Sequence, residues 1–170
     1  GFPLVLKPSL EGSSIGVVKV ESALQLEAAW QESSRYGGVL AERWIQGREY
    51  TASILQGQAL PVIQVVVPQG FYDYQAKYFT NDTRYLCPCG LEPEQERRVQ
   101  QLALQAFHAV GAQGWGRVDV MLDAQGSPWL LEVNTVPGMT DHSLVPMAAQ
   151  ATGIDFDTLV GRILETSFEP

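Results

Sequence analysis

Glu132 and Asn134 close an apolar run, Trp129-Leu130-Leu131, within the stretch WLLEVNTVPGMTDHS. A buried strand should not end on a carboxylate and an amide two residues apart, because period-two alternation turns both toward one face. Upstream, GRVDVML puts Arg117, Asp119 and Met121 on one face of another strand. The two segments are joined by DAQG, a turn signal. With the turn centred on Gln125-Gly126, Asp119 falls opposite Glu132. Alternation also puts Leu130 on the face of Glu132 and Asn134. Two carboxylates and an amide oxygen brought that close call for a cation. Oxygen-only ligands from Asp119, Glu132 and Asn134 suit Mg²⁺ or Mn²⁺, and Mg²⁺ commonly shares its shell with substrate phosphates. The same hairpin could also be a solvated sheet face on which Arg117 neutralises Asp119.

Three other stretches bear on phosphate. In KPSLEGSSIGVVKV, Lys7 ends a strand and Gly12, Ser13, Ser14 and Gly16 form a small-residue loop. Such a loop lets backbone N–H groups approach an anion closely. No GKS or GKT follows, so this is not a Walker A loop, and the alternatives are a flap over phosphates or an unliganded hairpin turn. Lys77 in QAKYF stands among aromatics, either as an exposed lysine or as a cation that a lid carries to a triphosphate. AERWIQGREY places Glu42 at a strand end and Glu49 after a turn, where a carboxylate could accept from ribose hydroxyls or merely sit at the surface. Asp141, His142 and Ser143 are adjacent and so cannot form a hydrolase triad. Ser143 and the N–H groups after it suit a carboxylate at a helix start.

The elements that must carry these residues follow from pattern. Strands are expected near residues 4–7, 15–20, 39–43, 50–56, 59–67, 117–122 and 129–134. Gln56-Gly57 reads as a tight reversal. A first helix follows Ser22, with Ser22 and Gln25 as a capping box and Ala23, Leu26 and Trp30 on one face. A second starts at Pro93, carries Glu94 and Glu96 at its positive end, and shows a stripe of Val99, Leu102, Ala103, Ala106 and Val110 before Gly111 stops it. Shorter helices are expected at residues 146–152 and 157–166. Residues 70–91 have no period and read as a working loop, an ordered lid rich in Tyr, Asp and Asn.

The chain has 170 residues, 45% of them hydrophobic, enough for a real core in one domain or two lobes. Its 11 basic and 19 acidic residues give a net charge of -8, which argues against nucleic acid as a partner. No segment reads as membrane-spanning or as a signal peptide. Cys87 and Cys89, one residue apart in CPCG, fit neither a zinc site nor an unstrained disulfide, and read as reduced thiols of a cytoplasmic protein. GFPLVLKPS enters a strand almost at once, as expected of a piece of a longer protein.

Taken in order, KPSLEGSSIGV, FYDYQAKY, GRVDVML, LLEVNTVPGMT and HSLVPMAA resemble the D-alanine–D-alanine ligases, an ATP-grasp family of peptidoglycan precursor synthesis. The resemblance implies an α+β fold, with a small β-rich lobe and a larger mixed-sheet lobe with flanking helices, and ATP held between the two. Residues 1–43 would be part of the central lobe and 44–170 the C-terminal lobe, with lid 70–91 and metal-binding hairpin 116–134. The implied activity joins two D-alanines through an acyl phosphate. Lys7 would bind ATP phosphates, with Gly12, Ser13 and Ser14 as the flap above them. Glu42 would lie near the adenine hinge with Trp44 and Ile45. Glu49 would bind ribose or support a network with Ser13 and Tyr78, and the resemblance does not separate the roles of the two acids. Phe71, Met121 and Leu131 would sandwich adenine, and Lys77 would reach the phosphates. Asp119, Glu132 and Asn134 would hold two Mg²⁺ or Mn²⁺ ions, with Glu132 bridging. Arg117 and the Gly138 N–H would stabilise the oxyanion, and Ser143 and the Leu144 N–H would hold the second D-alanine. Tyr78 goes with a dipeptide product. The family's N-terminal domain and the start of its central domain are absent from these residues, so the piece alone is expected to be inactive. The full-length protein is expected to be a homodimer. Alternatives are another ATP-grasp carboxylate–amine ligase and a non-catalytic nucleotide-binding domain.

Overall fold

The computed structural model describes residues 1–67, 83–140 and 142–168. The chain divides into two compact units, one containing Gly1–Ile45 and the other Gln46–Val66 and Arg84–Pro170.

In its described residues the first unit is a three-stranded antiparallel sheet with one α-helix. Strands β1 (Leu4–Pro8), β2 (Val18–Val20) and β3 (Val39–Arg43) run in the order β2-β1-β3, and α1 (Leu26–Ser33) packs on them. Leu6, Val20 and Ala29 are its buried core. Strand β2 is shorter than the expected 15–20 because Gly16, at φ 68°, takes a left-handed conformation that no strand can follow, as Ser13 and Ser14 do just before it. The expected helix face is also corrected. Ala23–Gln25 is a 3₁₀ turn, which shifts the phase of the helix after it, so α1 buries Ala29 and Ser33 and leaves Leu26 and Trp30 exposed. Nor does the capping box form: Ser22 makes no side-chain cap, and Gln25 Oε1 accepts from the Glu21 N–H instead, at 2.7 Å.

The second unit is built on a sheet of order β7-β6-β4-β8-β9: β4 (Gly47–Leu55), β6 (Ile63–Val66), β7 (Arg84–Leu86), β8 (Trp115–Asp123) and β9 (Pro128–Asn134), with β5 (Gln58–Ala59) beside β4. Every pairing among the described residues is antiparallel, whereas the resemblance implied a mixed sheet. The reason lies in the connections: hairpins link β4 to β5 and β8 to β9, and the return through α2 (Pro93–Ala109) delivers β8 antiparallel to β4. Gln56 and Gly57, with φ of 50° and 74°, make the expected tight reversal. The single strand expected over 59–67 is broken at Pro61, which has no N–H to give to a ladder. Strand β7 falls inside the stretch expected to be irregular.

Alternation along β4 gives the sheet two different faces. Tyr50, Ala52 and Ile54 pack with Val118, Val120 and Leu122 beneath Val99, Ala103 and Phe107 of α2. Helix α2 begins with Pro93 in its first turn and ends before Gly111, φ 71°, as expected, but Val110 lies beyond its last turn and is exposed. On the opposite face, Leu55, Leu60 and Ile63 meet Val145, Ala148 and Ala149 of α3 (Leu144–Gln150) and Leu159 of α4 (Phe156–Glu165). That core covers only part of this face. The rest carries Thr51, Ser53, Arg117 and Asp119, and the site is built there. Cys87 and Cys89 are free thiols, and burial pushes both upward in pKa. No helix among the described residues is long and apolar enough to cross a membrane.

Candidate active site

The site is a polar stripe running across three adjacent strands of the second unit. In the β4–β8 ladder Thr51 lies opposite Asp119 and Ser53 opposite Arg117. In the β8–β9 ladder Asp119 lies opposite Glu132 and Arg117 opposite Asn134. Directly opposed residues project from the same side of a sheet, so all six point one way. Asp119 lies opposite Glu132 as expected, but the turn is centred on Gln125 rather than on Gln125-Gly126, with Leu122 opposite Pro128.

One feature of this hairpin differs from expectation. The register shifts between Asp119 and Val120, so that Val120 pairs with Leu130 and Leu131 is an extra residue on β9. A bulge of this kind breaks the period of two and re-aims the side chains beside it. Leu130 therefore lies opposite Val120 rather than sharing the face of Glu132 and Asn134.

The polar atoms converge. Arg117 donates from Nε to Asp119 Oδ1 and from an Nη to Asp119 Oδ2, each at 2.8 Å. Thr51 Oγ1–H donates to Asp119 Oδ1 at 2.7 Å. The Asn134 amide nitrogen donates at 3.1 Å both to Asp119 Oδ2 and to Glu132 Oε1. Asp119 is buried, only 7% exposed, while Glu132 faces solvent. A burial that deep is tolerable for a carboxylate only with partners of this kind.

The donor set fits a hard dication. A single atom, Asn134 Nδ2, touches both carboxylates, so a small ion between them has oxygen ligands on two sides. Two carboxylates and one guanidinium leave the stripe a net negative charge. Among the described residues no three His, Cys, Asp or Glu side chains form a metal cluster; the set here is two carboxylates and an amide, whose Oδ1 must turn inward to become the third ligand. Thr51 and Ser53 escaped the sequence reading. The signal available was a pair of hydroxyl residues two apart in YTASIL, an otherwise apolar central strand.

The loop after β9 ends at Ser143, immediately before α3. Its Oγ accepts from the Thr140 N–H at 2.9 Å and lies 3.0 Å from Thr140 Oγ1, without capping the helix it precedes. A Cβ placed on Gly138 would come within 3.1 Å of that oxygen. Leu144 supplies the first N–H of α3. Glu49 pairs with Met121 across the β4–β8 ladder, on the face of Thr51 and Asp119.

Other residues expected to contact a nucleotide lie in the first unit. Lys7 Nζ is 2.8 Å from Glu42 Oε2, a diagonal pair between β1 and β3. Gly12 accepts from the Ile15 N–H at 3.1 Å, closing the turn that contains Ser13 and Ser14. Lys19 Nζ sits 4.9 Å from the Trp44 ring centroid, and the Trp44 N–H donates to the Pro3 carbonyl at 3.2 Å. Ile45 is the last residue of this unit's main segment. Phe71, Lys77 and Tyr78 lie outside the described residues.

An antiparallel sheet between helical layers, with an acidic hairpin on its open face, is an α+β architecture of the ATP-grasp class. The chain belongs to the D-ala D-ala ligase C-terminus family, whose model matches residues 1–165. It is 62% identical over 165 residues to a D-alanine–D-alanine ligase of Alkalilimnicola ehrlichii, covering 96% of this chain and 53% of that protein. It thus spans about half the length of the curated relatives it matches. The VanG D-Ala:D-Ser ligase of Enterococcus faecalis superposes with a TM-score of 0.86 at 30% identity, over 97% of this chain and 49% of that one. The D-alanine–D-alanine ligase of Bacillus anthracis, solved in complex with ATP, superposes with a TM-score of 0.82 at 33% identity, over 98% of this chain and 53% of that one.

Proposed function

We propose that the full-length protein carrying this chain joins two D-alanines at the expense of ATP, and that these residues supply its metal, nucleotide and second-substrate contacts. The observation that carries this is the convergence of Asp119, Glu132 and Asn134 beside Arg117 on the fold of this family. The three would hold Mg²⁺ or Mn²⁺, which when bound supplies charge neutralisation for nucleotide phosphates. Lys7, the Gly12–Ser13–Ser14 loop and Lys77 would bind those phosphates. Phe71, Met121 and Leu131 would wall the adenine, with Glu42, Trp44, Ile45 and Glu49 near the base and ribose.

The first D-alanine carboxylate attacks the γ-phosphorus, forming an acyl phosphate as ADP leaves. The amine of the second attacks the acyl carbon, and the carbonyl oxygen becomes an oxyanion. Arg117 and the Gly138 N–H donate to it, and Ser143 and the Leu144 N–H hold the second carboxylate. The attacking nitrogen gives up a proton, and collapse expels phosphate and leaves the peptide bond. Donors fixed in advance where charge develops are the main contribution a protein makes to such a step.

The likeness to a D-Ala:D-Ser ligase favours a second reading, in which the attacking amine belongs to D-serine. Phosphate release measured with D-alanine alone, and with D-alanine plus D-serine, separates the two. We expect release with D-alanine alone that requires added Mg²⁺ or Mn²⁺. Nucleotide binding that ignores D-alanine, with no release, would overturn the ligase reading in favour of a non-catalytic nucleotide-binding domain.

A further inference from the structure

Among the described residues, the Ser53 hydroxyl is the one buried side-chain oxygen without a hydrogen-bond partner. Ser53 is 1% exposed. It lies directly across the ladder from Arg117 and two residues along β4 from Thr51, whose hydroxyl holds Asp119. Its side chain therefore projects from the site face, beside that of Arg117. Buried hydroxyls in native proteins nearly always have a partner, so an orphan inside a polar stripe points to one that arrives in another state of the site.

Arg117 can be that partner. Its Nε and one Nη both rest on Asp119, one on each oxygen. Those lone pairs are the ones a cation on Asp119 would use, and the cation and the guanidinium also repel. Yet the Arg117 side chain is only 14% exposed, so water cannot readily satisfy the hydrogens it would free. The oxygen opposite offers two lone pairs. We propose that Ser53 is a positioning residue for Arg117, accepting a guanidinium hydrogen when a divalent cation engages Asp119 and so keeping Arg117 over the reacting groups. The proposal rests on the reading of Asp119, Glu132 and Asn134 as cation ligands. Hydrogen-bond acceptors are exchanged, and no covalent bond changes.

Mn²⁺ titration followed by the electron paramagnetic resonance of the free ion tests it, in the wild-type protein, Ser53→Ala, Arg117→Met and the double variant. Ser53→Ala should weaken Mn²⁺ binding roughly 2- to 10-fold, the worth of one hydrogen bond. The same change made in Arg117→Met should have no effect, because no guanidinium remains to be held. Without cation, Ser53→Ala should melt no lower than wild type, since it removes an unsatisfied hydroxyl. Unchanged Mn²⁺ affinity in Ser53→Ala, a loss that persists in Arg117→Met, or a clearly lowered melting temperature would each overturn the role given to Ser53. A wild-type protein that bound no Mn²⁺ would instead overturn the cation reading from which the proposal starts.

Discussion

Asp119 is held by four hydrogen bonds from three residues, and each has a different consequence when removed. Thr51 reaches it from β4 with no charge of its own and orients the carboxylate. Losing an orienting partner of a metal ligand typically costs ~10–100-fold in affinity or activity. Thr51→Val, close to isosteric, should therefore weaken Mn²⁺ binding by about that factor while far-UV circular dichroism stays unchanged. On the proposed reading Arg117 acts in the opposite direction on binding, because it would compete with the cation, yet it would be needed in turnover. Arg117→Met should bind Mn²⁺ more tightly than wild type and still lose on the order of 10²-fold or more in phosphate release, as the loss of one preorganised oxyanion donor does. Equal losses in both quantities would show that Arg117 builds the site rather than competing within it. The convergence of Asp119, Glu132 and Asn134 was legible from spacing alone. That of Thr51 was not, because its partner is 68 positions away and nothing in YTASIL announces which strand will lie beside it.

The β8–β9 hairpin sets the geometry through its turn, its bulge and its underside. At the turn, Asp123 accepts from the indole N–H of Trp129 at 2.9 Å and from the backbone N–H groups of Ser127 at 2.8 Å and Gln125 at 2.9 Å. These donors, Trp129 first, hold its carboxyl below the ordinary range. A carboxyl depressed in the folded state adds stability above its unfolded pKa, near 4, and loses it as pH falls through the folded value. Wild type should then lose melting temperature on acidification more steeply than Asp123→Asn, with the gap between them present at neutral pH and closing as pH falls through the lowered folded pKa of Asp123. A gap that persists in acid would mean that the carboxylate charge does not lock the turn. Beneath the hairpin, a Cβ on Gly116 would lie 2.5 Å from the Phe107 ring and 2.9 Å from the Asn134 carbonyl oxygen. Gly116→Ala should cost about 1–3 kcal/mol, the usual penalty of overpacking, and should weaken Mn²⁺ binding because β9 must move away. Denaturant titration and the Mn²⁺ assay read the two effects separately. Beside the turn the expected register was off by one, with Leu122 opposite Pro128, and it held at Asp119 only through the bulge; the turn itself was readable from DAQG. The bulge was not: Leu131 is an ordinary strand residue, and an extra residue in one strand shows only against its partner.

Across the whole molecule, sequence pattern succeeded where burial follows a simple period and failed where the backbone departs from it. The long helix, the central strand and the two faces of the larger sheet all follow from periods of 3.6 and 2. The short β2 and the rephased α1 do not, because left-handed Gly16 and a 3₁₀ turn interrupt the pattern with residues that also occur in regular elements. The same contrast distributes stability unevenly. Among the described residues the first unit has a core of three buried apolar residues, whereas the second has a packed cluster on each face of its sheet. Free energy of local opening scales with buried apolar contact, so amide hydrogens of β1 and β3 should exchange through openings well short of global unfolding, while those of β4 and β8 should be the slowest in the chain. Phe107→Ala removes the largest side chain that α2 contributes to its core and should lower the opening free energy of β4 and β8 by about 3–5 kcal/mol. Leu6→Ala should accelerate exchange in β1 and β3 and leave β4 and β8 nearly unchanged, because sites without shared partners behave additively. If Leu6→Ala reduced protection in β4 and β8 as much as in β1, the two cores would be opening as one cooperative unit, and the small core could not be the weak point that its three residues make it.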